Sequence, residues 1–184
     1  VNEGYQVFDK ATGASIFGPA SILSIWSGFG GVCQTGGNGD PVVMYDQLAD
    51  RWLISQFAGG LTQECVAIST TGNAAGSYAR YDYNLVSVGG SALYDYPHFG
   101  VWPDAYYMTM NVFNSSGTAY LGPQAFAFNR AKMLVGDTTA ELQAPPRLSA
   151  SFPPWLPADL DGATPPPAGT PESVVLFPDT GFYR

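Results

Sequence analysis

Gly39-Asp40-Pro41-Val42-Val43-Met44-Tyr45-Asp46, continued by Asp50-Arg51-Trp52-Leu53-Ile54-Ser55-Gln56-Phe57, is the stretch that decides the fold. Both halves are apolar runs rich in β-formers, and the polar piece Gln47-Leu48-Ala49-Asp50 between them reads as a turn. Glu64 to Thr71 is a third run, ended by Gly72-Asn73, and Tyr78-Ala79-Arg80-Tyr81-Asp82-Tyr83 alternates as a fourth. Four short strands joined by hairpin turns make an antiparallel meander.

The pattern then repeats. Asp95-Tyr96-Pro97-His98-Phe99-Gly100-Val101-Trp102 takes the place of the Pro41 strand, and Pro103-Asp104 the place of its turn. Ala105 to Asn111 replaces the Trp52 strand, Gln124 to Asn129 the Cys65 strand, and Thr138 to Gln143 is a weaker fourth. Pro97 follows Pro41 by 56 residues, and Ala127 follows Ala67 by 60. Four strands per unit at such a period is the signature of β-propeller blades. A third unit begins near Trp155 to Gly162, crosses the Pro-rich stretch from Ala163 to Pro171, and enters a strand at Ser173 to Phe177. At the front, Tyr5 to Lys10, Ile16-Phe17 and Ile22-Leu23-Ser24-Ile25-Trp26 read as strands of one more unit.

The expected fold is therefore all-β, a single propeller segment over residues 1–184. Residues 1–38 supply outer strands of one blade, 39–94 a second blade, 95–150 a third, and 151–184 the start of the next. A chain of 184 residues at this period holds about three blades, whereas propellers close with four to eight. The expectation is a piece of a larger ring, completed by further blades of the same protein or by other copies. A two-sheet β-sandwich is the competing fold, since short strands with regular turn signals describe it too.

Composition narrows the function. Fifteen acids against seven bases leave a net charge of −8, with no basic stripe to hold nucleic acid. No apolar run approaches the length of a membrane-spanning helix. His98 is the single histidine, so any site needing two is excluded. Only 12% of the chain is charged, while 22 Gly and 15 Pro point to many turns. Few Lys together with much Gly, Tyr and Trp suggest a secreted or cell-surface location. Cys33 and Cys65 then read as a disulfide. The alternative is two reduced, buried cysteines acting as small hydrophobes.

The strings around Pro41, Trp52 and Tyr96 to Thr109, with Phe128-Asn129-Arg130-Ala131-Lys132-Met133-Leu134, resemble a family of large secreted or surface-attached bacterial propeller proteins. The likeness runs from about Tyr5 to Gly169 and implies a fold and a location, but no activity. The family tends to place a cysteine pair where Cys33 and Cys65 stand, and often has a basic residue where this chain has His98. More distantly, Asp46…Asp50-Arg51-Trp52 is similar to the Asp-turn-Trp hairpin of sialidase-like propellers, without the full Asp-box spacing.

Several residues could carry chemistry. Asp40, Asp95 and Asp159 are read as preceding innermost strands, where blade geometry gathers carboxylates at one mouth of the channel. Hard cations take several oxygen ligands, so these three are the candidate calcium ligands, the only cofactor contemplated and not a required one. Asp before Pro or Gly is also an ordinary turn-former. Asp159-Leu160-Asp161-Gly162 begins like an EF-hand loop, but Ala163 and Thr170 stand where oxygen ligands are needed. Asp40, Asp95, Tyr96, His98 and Asp104 are the candidate ligand-binding residues. Tyr94 and Tyr96, beside Gly89-Gly90, are candidate exposed rings for stacking on sugars. Alternation sets Tyr96, His98 and Gly100 on one strand face and Pro97, Phe99 and Val101 on the other. No Gly-x-Ser-x-Gly elbow accompanies His98, and Arg51 and Arg130 sit at strand ends, where pairing with an Asp explains them.

The leading expectation is a secreted or cell-surface propeller scaffold binding a glycan or protein ligand, with or without Ca²⁺. One alternative is a carbohydrate-active hydrolase or lyase whose site is completed by other blades. Another is a structural extracellular assembly protein.

Overall fold

The computed structural model describes residues 3–90, 93–162 and 164–176, and it is all-β. The first four-stranded antiparallel sheet, sheet one, is built from β3 (Gly37–Asp46), β4 (Arg51–Ala58), β5 (Gln63–Ser69) and β6 (Tyr78–Asn84), paired in that order. Sheet two repeats the plan with β7 (Leu93–Val101), β8 (Tyr106–Phe113), β9 (Tyr120–Phe128) and the short β10 (Leu142–Gln143). Two hairpins flank them: β1 (Gly4–Phe8) with β2 (Ser15–Ser21), and β11 (Trp155–Pro157) with β12 (Val174–Leu176). β3 and β7 each begin two residues before the unit starts read from the sequence. Phe177, expected to end the last strand, lies outside the described residues.

Each sheet is finished before the next begins, and the two pack face to face. Leu53, Phe57, Val66 and Ile68 of sheet one bury against Phe99, Tyr106, Met108, Met110, Phe126 and Phe128 of sheet two. Removing each of these side chains from water contributes about 1.5–3 kcal/mol. The Tyr83 ring meets Phe128 edge-on at 4.9 Å. Tyr81 and Tyr83 donate their hydroxyls to the carbonyls of Met133 and Ala140, so β6 is tied to sheet two by polar contacts as well.

The opposite face of sheet one is half covered. Ile22, Ile25, Trp26 and Cys33 pack there on Ile54, Ala58, Cys65 and Ala67. Cys33 and Cys65 form the disulfide that pins this segment to β5, with their Cα atoms 5.7 Å apart. Ile22–Trp26 is not the strand expected from its apolar run. It is a short 3₁₀ helix whose first turn is capped by the Ser21 hydroxyl, which accepts the Leu23 N–H. Its buried residues Ile22 and Ile25 are three apart, the helical spacing, and only a strand would need a spacing of two.

The fourth strand of sheet two is also shorter than the Thr138 to Gln143 run suggested. Asp137 accepts both the N–H and the hydroxyl of Thr139, and this turn delays the strand until Leu142. Gly100 is needed where it stands. A Cβ there would collide with the Ala158 carbonyl, so its absence lets the β11 segment lie against β7.

Candidate functional site

The first strand of each sheet carries the same irregularity. β3 is bulged between Gly39 and Val42, and β7 between Asp95 and His98. The residues before the two prolines, Asp40 and Tyr96, both take left-handed backbone, with φ of 45° and 61°. A non-glycine residue rarely sits there, and a following proline restricts it further. The strain is retained twice, at positions one repeat apart, and it re-aims the side chain at each corner.

At the β7 corner the bulge builds a small surface. Asp95 accepts the Tyr96 N–H through Oδ1 at 2.8 Å, which fixes the corner. The Tyr96 ring is 53% exposed and stands edge-on to His98, with ring centroids 4.3 Å apart. His98 is half-buried and its Nε2 has no hydrogen-bond partner. Burial pushes the imidazole below its ordinary pKa, so it is neutral at neutral pH. The His98 Nε2 is itself buried, so the group offers one broad aromatic face and one carboxylate. At the β3 corner an acid, Asp40, occupies the position of Tyr96 and is half-buried.

The remaining sequence candidates lie elsewhere. Tyr94 is fully buried, not exposed: it precedes the bulge and packs edge-on against Phe126. Asp104 sits in the β7–β8 turn, at the far end of β7 from Tyr96, and accepts the Tyr107 hydroxyl at 3.0 Å. Asp159 follows β11 instead of preceding it, and its Oδ1 accepts the Val101 N–H. Asp40 and Asp95 stand near the beginnings of their strands, so the three proposed calcium ligands occupy different strand ends. Among the described residues the one group of three metal-capable side chains is Cys33, Cys65 and Asp82, and its two sulfurs are bonded to each other.

Buried polar residues hold the molecule together, and Arg130 finds the Asp partner expected of it in Asp46. Asp46 is fully buried and takes a two-pronged contact from Arg130, at 2.7 Å from Nε and 3.0 Å from Nη2. The Tyr106 hydroxyl donates to the same carboxylate at 2.8 Å, and the Ala49 N–H closes the turn on it. Burial opposes ionisation of Asp46, but the hydrogen bonds from Arg130 and Tyr106 outweigh it and hold the carboxyl below its ordinary range. In the Asp-turn-Trp hairpin, Asp46 joins the two sheets and Trp52 donates its indole N–H to the Gly72 carbonyl.

Glu64 is a residue that the sequence reading missed. It is wholly buried on the face between the sheets, across from Phe57 and Tyr83. Burial pushes its carboxyl up to about 8, the Ser55 hydroxyl opposes this, and the charge of Asp40 adds to it. A lone acid at the head of the run Glu64-Cys65-Val66-Ala67-Ile68 was the available signal.

No family model, curated protein or solved structure matches the chain. The site is therefore judged on its own chemistry. An exposed ring beside a carboxylate can stack on the C–H face of a sugar while accepting its hydroxyls. Among the described residues no cationic side chain joins that group, which disfavours acidic sugars.

Proposed function

We propose that this chain belongs to a secreted or cell-surface β-propeller scaffold that binds a neutral glycan at the β7 corner. Two observations support the propeller over the sandwich. Each sheet is a self-contained meander in chain order, whereas sandwiches commonly exchange strands between sheets by Greek-key connections. Equivalent residues one period apart also play equivalent parts, as the paired corners at Asp40 and Tyr96 do. The disulfide fits an oxidising, extracellular setting.

The observation that carries the binding role is the exposed Tyr96 ring, held in a strained conformation between Asp95 and His98. The ring provides stacking area, and Asp95 provides a hydroxyl acceptor. The reading needs no cofactor. A hydrolase reading gains nothing from Glu64. That acid has a raised pKa suited to proton donation, yet it is sealed between the sheets.

The test is calorimetric titration with neutral gluco- and manno-oligosaccharides. Tyr96→Ala is expected to weaken binding at least tenfold, about 1.4 kcal/mol, with melting temperature unchanged because the ring is exposed. Binding that is indifferent to Tyr96, or seen only with a protein ligand, contradicts the glycan site.

A further inference from the structure

The uncovered half of sheet one is an apolar groove, and the repeat bears on what shape would fill it. Val43 and Tyr45 of β3 correspond to Phe99 and Val101 of β7, one 56-residue period later. Tyr45 pairs with Trp52 as Val101 pairs with Tyr106. Phe99 and Val101 are buried by sheet one, to 7% and 3% exposure, whereas Val43 is 63% and Tyr45 40% exposed. The face is the same, but its neighbour is missing. In its place is an apolar groove of about 720 Å³ lined by Val7, Ile16, Val43, Trp52, Ile54 and Tyr78.

One wall of the groove is β1 along its whole length. Among the described residues β1 pairs only with β2, so its other edge is unpaired toward the groove. The occupant that completes a four-stranded sheet there is a two-stranded hairpin, adding its strand to β1. The chain carries such a hairpin at its other end. β11 lies against β7 and β8, with the Thr109 hydroxyl donating to the Trp155 carbonyl and Ala158 against Gly100. Alternation then turns Leu156, and its cross-strand partner Val175, to the opposite side. They are 46% and 62% exposed. Among the described residues β12 pairs only with β11, so its other edge is open there.

We infer that the groove takes the β11–β12 hairpin of a second copy of this chain, with β12 pairing to β1 and Leu156 and Val175 covering Val43 and Trp52. The inference rests on the propeller reading. The same exchange at both junctions gives a closed two-fold dimer instead of an open polymer.

Light scattering on the 184-residue chain tests this. The wild type is expected at twice the mass of 19.5 kDa. Val43→Lys or Val175→Glu alone buries an unpaired charge in the junction and is expected to weaken the dimer at least tenfold. Both side chains are exposed within one copy, so circular dichroism should report intact folding. Combining the two substitutions is expected to restore the dimer, a rescue that a merely structural role would not give. A wild-type monomer at micromolar concentration, or an oligomer indifferent to both substitutions, overturns the inference. Tyr96→Ala should leave the mass unchanged, so a monomer that still binds oligosaccharide through Tyr96 would sink the second copy and spare the glycan site.

Discussion

Sheets one and two share a plan but differ in their surroundings. The face of sheet two that presents Phe99, Val101 and Tyr106 is sealed by sheet one, while the matching face of sheet one, with Val43, Tyr45 and Trp52, opens to the groove. At the bulged corners the backbone is alike, yet one offers Asp40 and the other Tyr96. The difference teaches that a repeat fixes where side chains point, and that the neighbour decides whether a given position is core, junction or binding surface.

The largest expected break in this comparison is at the junction between the two sheets, on the covered face of sheet two. Asp46→Ala strips Arg130 of a partner whose side chain is fully buried, and leaves the guanidinium only 11% exposed. Urea unfolding should register a loss of about 3–5 kcal/mol, the usual penalty for orphaning one half of a buried pair. A loss under about 1 kcal/mol would mean the sheets are held by apolar contacts alone.

Truncation at equivalent positions comes next. Phe99→Ala should cost about 3–4 kcal/mol by opening a cavity against Phe128. Val43→Ala, measured in the Val175→Glu background where the groove is empty, should fall within about 0.5 kcal/mol of its parent. Similar losses at both would erase the distinction between covered and open faces.

The clearest pH profile belongs to Glu64. Its carboxyl titrates near 8 in the folded chain against an ordinary 4.5. The native state therefore keeps a proton that the unfolded chain releases. Below about pH 4.5 both states are protonated and the group contributes no pH dependence. Stability falls as pH rises from there toward 8, by on the order of a few kcal/mol in all. Glu64→Gln cannot titrate. It should flatten this decline, be more stable than wild type at pH 8, and differ little at pH 4. Parallel profiles for the two proteins would show that Glu64 is ionised in the fold.

Much of this architecture was legible in the sequence, because a strand buried on one face writes its period directly into the residue pattern. The strands of sheet one were readable in the sequence, with β3 starting four residues before the Pro41 run and β5 ending two residues before Thr71. What escaped notice were features set by partners distant in the chain. Asp46 and Arg130 are 84 residues apart and meet only once both sheets are stacked. Tyr94 and Tyr96 look alike in sequence, and the bulge between Asp95 and His98 sends one inward and the other out. Ile22–Trp26 is apolar enough for a strand, and its three-residue spacing under a Ser21 cap is visible mainly in retrospect. Asp159 was misplaced by one strand length because β11 is only three residues long, too short for its start and end to be separated by pattern.

The central claim is that the corner of sheet two, and not its counterpart in sheet one, is the binding surface. Amide chemical-shift mapping during titration with a neutral gluco-oligosaccharide tests it most directly. Shifts concentrated at Asp95, Tyr96 and His98, with Asp40 and Val42 silent, are the predicted result. Shifts of equal size at both corners, or none at the β7 corner while binding is plain elsewhere, would contradict it.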